Sequence, residues 1–61
     1  MSMYCIRKDH SGWKIRNNAT GLIKVLSEQE IDALLGEFPN LRNSKTVTYF
    51  RNRVKSINDL P

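Results

Sequence analysis

The sequence is short of most of the groups that chemistry and metal binding need. It has one cysteine, one histidine and three glycines. A lone Cys5 cannot close an internal disulfide, and with only His10 beside it the chain falls far short of a structural zinc set. Gly12, Gly21 and Gly36 are scattered, so no glycine-rich loop is there to cradle phosphate. Cys5 falls in an expected strand and His10 in an expected turn, which does not pair them as nucleophile and base. Glu28 and Asp32 sit one helical turn apart but on an expected solvent face. An enzyme is therefore not expected, and neither is a cofactor or a metal.

Long apolar runs are missing as well. No stretch approaches the roughly 20 residues that a membrane-spanning helix needs, and the N-terminal residues lack the apolar centre of a signal peptide. The expectation is a cytoplasmic protein with no membrane role. Asn18-Ala19-Thr20 fits the glycosylation acceptor pattern, which carries no weight without a secretory signal. Acids are the scarce charge: six against ten bases give a net charge of +4 and a pI near 9.7. That balance favours acidic partners, either nucleic acid or an acidic protein surface.

What remains is enough for one small fold. The 61 residues form a single expected domain, 1–61, with 39% hydrophobic residues and five aromatics, Tyr4, Trp13, Phe38, Tyr49 and Phe50. A domain of this size buries only about 60% of the surface of its unfolded chain, so the core must be compact. The charge is segregated. Residues 1–26 hold five bases and one acid, 27–41 hold four acids and no base, and 42–61 hold five bases and one acid.

Met3 to Lys8 reads as a strand, and Asp9-His10-Ser11-Gly12 as a turn. Trp13-Lys14-Ile15-Arg16 alternates apolar and basic, the period of a strand with one wet face. After a second turn at Asn17 to Gly21, Leu22 to Leu26 is short, aliphatic and β-branched, and reads as a third strand. Ser27-Glu28-Gln29-Glu30 matches a capping box. Ile31, Leu34, Leu35 and Phe38 then follow at helical spacing up to Pro39. The expected fold class is α+β: an antiparallel meander over residues 3–26, then helices at 27–38 and 44–57.

The second helix rests on Val47, Phe50, Val54 and Ile57, spaced three, four and three apart, with Asn43 or Ser44 to cap it. The alternative is a fourth strand, because Thr46 to Phe50 has high β-propensity. That strand would give a β-β-β-α-β order. It would bury Val47 and Tyr49, or else Thr48 and Phe50.

With the second helix, Ser27 to Ile57 has the layout of a helix-turn-helix. Ser44 to Val54 then resembles the recognition helices of small bacterial and phage regulators. The resemblance implies DNA binding. The functional expectation is a non-catalytic, regulatory protein of phage or mobile-element type that binds double-stranded DNA, with RNA as a variant of the same chemistry. Lys45, Thr48, Arg51, Asn52, Arg53 and Lys55 would make the contacts, and Lys14 and Arg16 would add phosphate contacts. A homodimer would suit a palindromic site. The strand-turn-strand-turn-strand-helix order is also similar in layout to the arm-type DNA-binding domains of phage integrases, whose sheet sits in the major groove.

A second basic surface is formed by Arg7, Lys8, Lys14, Arg16 and Lys24 near Tyr4 and Trp13. It would hold single strands if the aromatics were exposed, but Trp13 is expected to be core. The rival function is a small phage-type protein that inhibits or modulates a host protein through its basic surface. A strand in place of the second helix would remove the helix-turn-helix and put this protein-partner reading first.

Overall fold

The computed structural model describes residues 3–43 and 46–61. It is a mixed α+β fold with a four-stranded antiparallel sheet and one helix. The strands are β1 (Met3–Asp9), β2 (Gly12–Asn17), β3 (Ile23–Val25) and β4 (Thr46–Phe50), and the helix is α1 (Glu28–Glu37). Short 3₁₀ turns cover Pro39–Asn43 and Arg51–Arg53. In space the strands run β3-β2-β1-β4, so the chain leaves one edge of the meander, crosses as α1 and returns at the other.

The expected meander is present, and its turns follow from their residues. Asp9 pairs with Gly12, leaving His10 and Ser11 as the hairpin tip. Gly12 takes φ +115°, which favours glycine, and the Asp9 carboxylate accepts from the Ser11 amide at 2.9 Å and hydroxyl at 2.7 Å. In the second turn the Asn17 side-chain oxygen accepts from the amides of Ala19 and Thr20, and Gly21 takes φ +79°.

The capping box also forms. The Glu30 amide donates to the Ser27 hydroxyl at 3.2 Å, and the Ser27 amide donates to the Glu30 carboxylate at 2.9 Å. Leu34 is buried, with Ile31, Leu35 and Phe38 packed partly buried against the same core.

The expected helix over 44–57 is not there. Residues 46–50 form β4, residues 51–53 a 3₁₀ turn, and the rest runs on as an irregular strap. The helix-turn-helix layout goes with it, and the β-β-β-α-β alternative is the one adopted. Ser44, one of the two proposed caps, lies outside the described residues.

Two physical effects favour the strand. Thr46, Val47 and Thr48 are β-branched and Tyr49 and Phe50 aromatic, the residues that fit a pleated surface. In addition, β1 without β4 would be a bare edge of unpaired backbone groups. Pairing with β1 sets Val47 opposite Ile6 and Tyr49 opposite Tyr4, so both turn to the core, and the Tyr49 ring stacks on Phe38 at 4.3 Å. Phe50, a member of the expected helical stripe, is instead 47% exposed. Val54 and Ile57 are buried as that stripe required, but the strap delivers them.

The core lies on one side of the sheet. Tyr4, Ile6, Trp13 and Ile15 of β1 and β2 meet Leu26, Leu34, Leu41, Val54 and Ile57. Trp13 is thus core, as expected. A partly buried polar knot ties the strap down: the Tyr4 hydroxyl donates to the Pro61 carbonyl at 2.8 Å, and the Asn17 side-chain NH2 donates to the same carbonyl at 3.1 Å. Glu37 holds the strap from α1 by accepting from the amides of Lys55 and Ser56 at 3.0 Å.

Candidate functional site

Alternation in β1 and β2 sends every second residue away from the core. The residues so displayed are Met3, Cys5, Arg7 and Asp9 from β1, Lys14 and Arg16 from β2, Ile23 and Val25 from β3, and Thr46, Thr48 and Phe50 from β4. The register sets them in rows: Val25, Lys14, Arg7 and Thr46 across the strands, then Ile23, Arg16, Cys5 and Thr48, and beyond these Met3 opposite Phe50. Apart from Cys5, Asp9 and Lys14, which are half-buried, all of these residues are exposed. Among the described residues no element covers this face. A shallow depression of about 320 Å³ on it is lined by Cys5, Arg7, Asp9, Lys14, Arg16, Ile23 and Thr46.

The face combines a cationic middle with an apolar margin. Arg7 and Lys14 are cross-strand partners, and Arg16 is the next outward residue along β2. Asp9 at the hairpin end pairs with Lys14 at 3.1 Å. The Ser11 hydroxyl, then the Lys14 ammonium and the Ser11 amide, hold the Asp9 carboxyl down at about 2, so this carboxylate stays charged in any ordinary buffer. Arg7 and Arg16 have no carboxylate within ion-pair distance among the described residues. Arg16 only donates to the Asn18 side chain, at 3.3 Å.

Around these cations, Ile23 is 59% exposed, Val25 60%, Phe50 47% and Met3 37%, with Leu22 beside them at 58%. These are the large exposed hydrophobic residues of the described chain, and they gather along β3 and one end of the face. A solvated face of an antiparallel sheet ordinarily turns polar residues to water. Here exposed apolar side chains stand at two margins of the face, Ile23 and Val25 on β3 and Met3 and Phe50 at one end of β1 and β4, with the cations between them.

The residues expected to contact DNA are not brought together. Thr48, Lys14 and Arg16 share the open face. Arg51 and Asn52 on the 3₁₀ turn and Lys55 on the strap line, with Val54, Ile57, Asn58 and Leu60, a wide hollow of about 610 Å³. Arg51 also reaches the Tyr4 hydroxyl at 3.4 Å. Arg53 faces a smaller hollow next to Glu37 and Phe38. Lys45 lies outside the described residues. The second basic surface divides too. Arg7, Lys14 and Arg16 go to the open face, while Lys8 lies 5.9 Å from the Trp13 ring and Lys24 bridges Glu30 at 3.2 Å and Asp59 at 2.8 Å.

Sequence reasoning counted Arg7 in the second basic surface but did not set it on one face with Ile23, Val25 and Phe50, and it passed over Ile23 and Val25 as members of a site. The signal for Arg7 was present: it has the parity opposite to Tyr4 and Ile6, and a two-residue hairpin tip sets it against Lys14. Phe50 had no such signal, because its direction depends on pairing with a strand more than forty residues earlier.

Apart from Asp9 on the open face and Asp59 on the strap, the acids are carried by the helix. Glu28 and Asp32 are exposed on α1. No His/Cys/Asp/Glu group suited to a metal ion forms among the described residues, and Cys5 on the sheet and His10 at the hairpin tip stand apart. No helix among them is long and apolar enough to cross a membrane. Comparisons with protein-family profiles, curated proteins and solved structures give no match to this chain.

Proposed function

We propose that this chain is a non-catalytic binding protein whose open sheet face docks on an acidic surface of a partner protein and thereby inhibits or modulates it. The observation that carries the reading is the combination on one uncovered face of Arg7, Lys14 and Arg16 with exposed Ile23, Val25, Met3 and Phe50. Aromatic, Met and Arg side chains beside aliphatic ones make up the anchors of protein interfaces. Arg7 and Arg16, which pair with no carboxylate among the described residues, would steer an acidic partner into register, and the apolar margin would supply the area removed from water.

Nucleic acid is the second reading, and a specific observation favours it. Thr46 and Thr48 line up beside Arg7 and the β2 cations, so hydroxyl and cationic donors share a flat sheet surface, which suits phosphate and groove contacts. A sheet laid in the major groove would replace the recognition helix, and a regulatory or mobile-element role would follow from DNA binding as before.

One titration separates the two. The purified protein is added to fluorescently labelled random duplex and single-stranded DNA at low and at physiological salt, and in parallel used to capture partners from host lysate. The protein reading expects DNA binding that vanishes at physiological salt and a captured acidic protein that Arg16→Glu releases. Persistent DNA binding with a steep salt slope, lost in Arg7→Ala/Arg16→Ala, would move the function to nucleic acid.

A further inference from the structure

Resting on the protein-partner reading, we infer that the occupant of the open face is an acidic amphipathic helix of the partner. The sheet already carries one helical layer, and a helix on its bare side would complete a sandwich with both faces covered. The exposed residues divide into columns that fit one. β3 presents Ile23 and Val25, and the next strand presents Lys14 and Arg16 directly beside them.

Alternate residues of a strand lie about 7 Å apart. Residues four apart on a helix rise about 6 Å and share a side. A helix lying along β3 and β2 therefore sets its apolar stripe on Ile23 and Val25, while acids at i and i+4 on its flank meet Lys14 and Arg16. Arg7 extends the cationic row toward β4, and Phe50 with Met3 closes one end.

Charge disfavours a face-to-face second copy, which would set these cations against their equivalents. Glu28 and Asp32 of α1 do have the i, i+4 spacing, but their exposed neighbours Gln29, Ala33 and Gly36 offer no apolar stripe for Ile23 and Val25. A second copy meeting the face through α1 would satisfy the charges and leave the β3 column bare.

The test is selection of a phage-displayed library of 18-residue helix-biased peptides, randomised on one side, against the intact protein at physiological salt. Selected peptides are then synthesised and titrated into isotope-labelled protein. The expected consensus has Glu or Asp four residues apart alongside an aliphatic stripe, with shifts at Arg7, Lys14, Arg16, Ile23 and Val25. Binding should fall about tenfold or more in Arg16→Glu and in Ile23→Ser, and stay unchanged in Glu28→Lys. Amide spectra establish that each variant is folded.

Acidic peptides without an apolar period, indifferent to Ile23→Ser, overturn the helix and leave the acidic-partner reading standing. Failure of the library alongside duplex DNA that shifts the same residues overturns the helix and gives the face to nucleic acid. If neither probe perturbs Arg7, Lys14 or Arg16, the helix and the reading beneath it fall together.

Discussion

The two faces of the sheet come from alternate residues of the same strands, and they solve opposite problems. On the covered face Ile6 and Ile15 are 0% exposed and oppose one another across β1 and β2, beneath α1 and the strap. On the open face the next residues in the chain, Arg7 and Arg16, stand in solvent without a carboxylate partner among the described residues. The covered face holds the fold together by removing apolar area from water. The open face adds little to that and leaves Ile23, Val25 and Phe50 exposed. If the open face binds as proposed, stability and recognition are divided in this small fold by residue parity and not by domain.

The sharpest way to break this comparison is to mutate neighbours. Ile15→Ala should cost about 2–5 kcal/mol in urea unfolding, because it opens a cavity where nothing can collapse to fill it. Arg16→Ala, one residue later, should stay within about 0.5 kcal/mol while changing partner binding. Comparable losses in the two variants would mean that the open face is structural.

Tyr4→Phe tests how the covered face holds its strap. It removes the hydroxyl that donates to Pro61 and accepts from the Asn17 amide. Leaving a buried polar group short of a partner should cost about 1–3 kcal/mol, and the strap amides should exchange faster before the β1 and β2 amides do.

The smallest effect is electrostatic. Burial opposes ionisation of Glu37, but Ser56 and the Lys55 backbone amide outweigh it and hold the carboxyl below its ordinary value of 4.5. A depressed carboxyl contributes stability above that ordinary value, and the contribution fades as pH falls through the lower folded value. Glu37→Gln should therefore lose about 1 kcal/mol at neutral pH and flatten the acid limb of a thermal-melting profile, with little further change at low pH. An acid limb identical in both proteins would show that Glu37 does not fasten the strap.

The meander and the first helix were legible in the residues because their determinants are local. Asp9 and Gly12 make their own hairpin, Asn17 and Gly21 their own turn, and Ser27 and Glu30 cap a helix within four positions. Trp13 as core was legible from its bulk and the alternation around it. Residues 46–57 were not, because Val47, Phe50, Val54 and Ile57 fit a helical stripe while Thr46 to Phe50 fit a strand, and nothing nearby decides between them.

The sequence by itself determined the α+β class, the basic balance, the turns and the capped helix, since each depends on hydrogen bonds and spacings within a few residues. Only the tertiary structure decided that Thr46–Phe50 pairs with β1, that Arg51, Arg53 and Lys55 fall on a 3₁₀ turn and strap and not on a helix, and that Arg7, Lys14 and Arg16 share a face with Ile23, Val25 and Phe50. The physical reason is that the free edge of β1 offers backbone hydrogen bonds and a berth for Val47 and Tyr49 that no local preference can match. That edge exists only once the first three strands have folded.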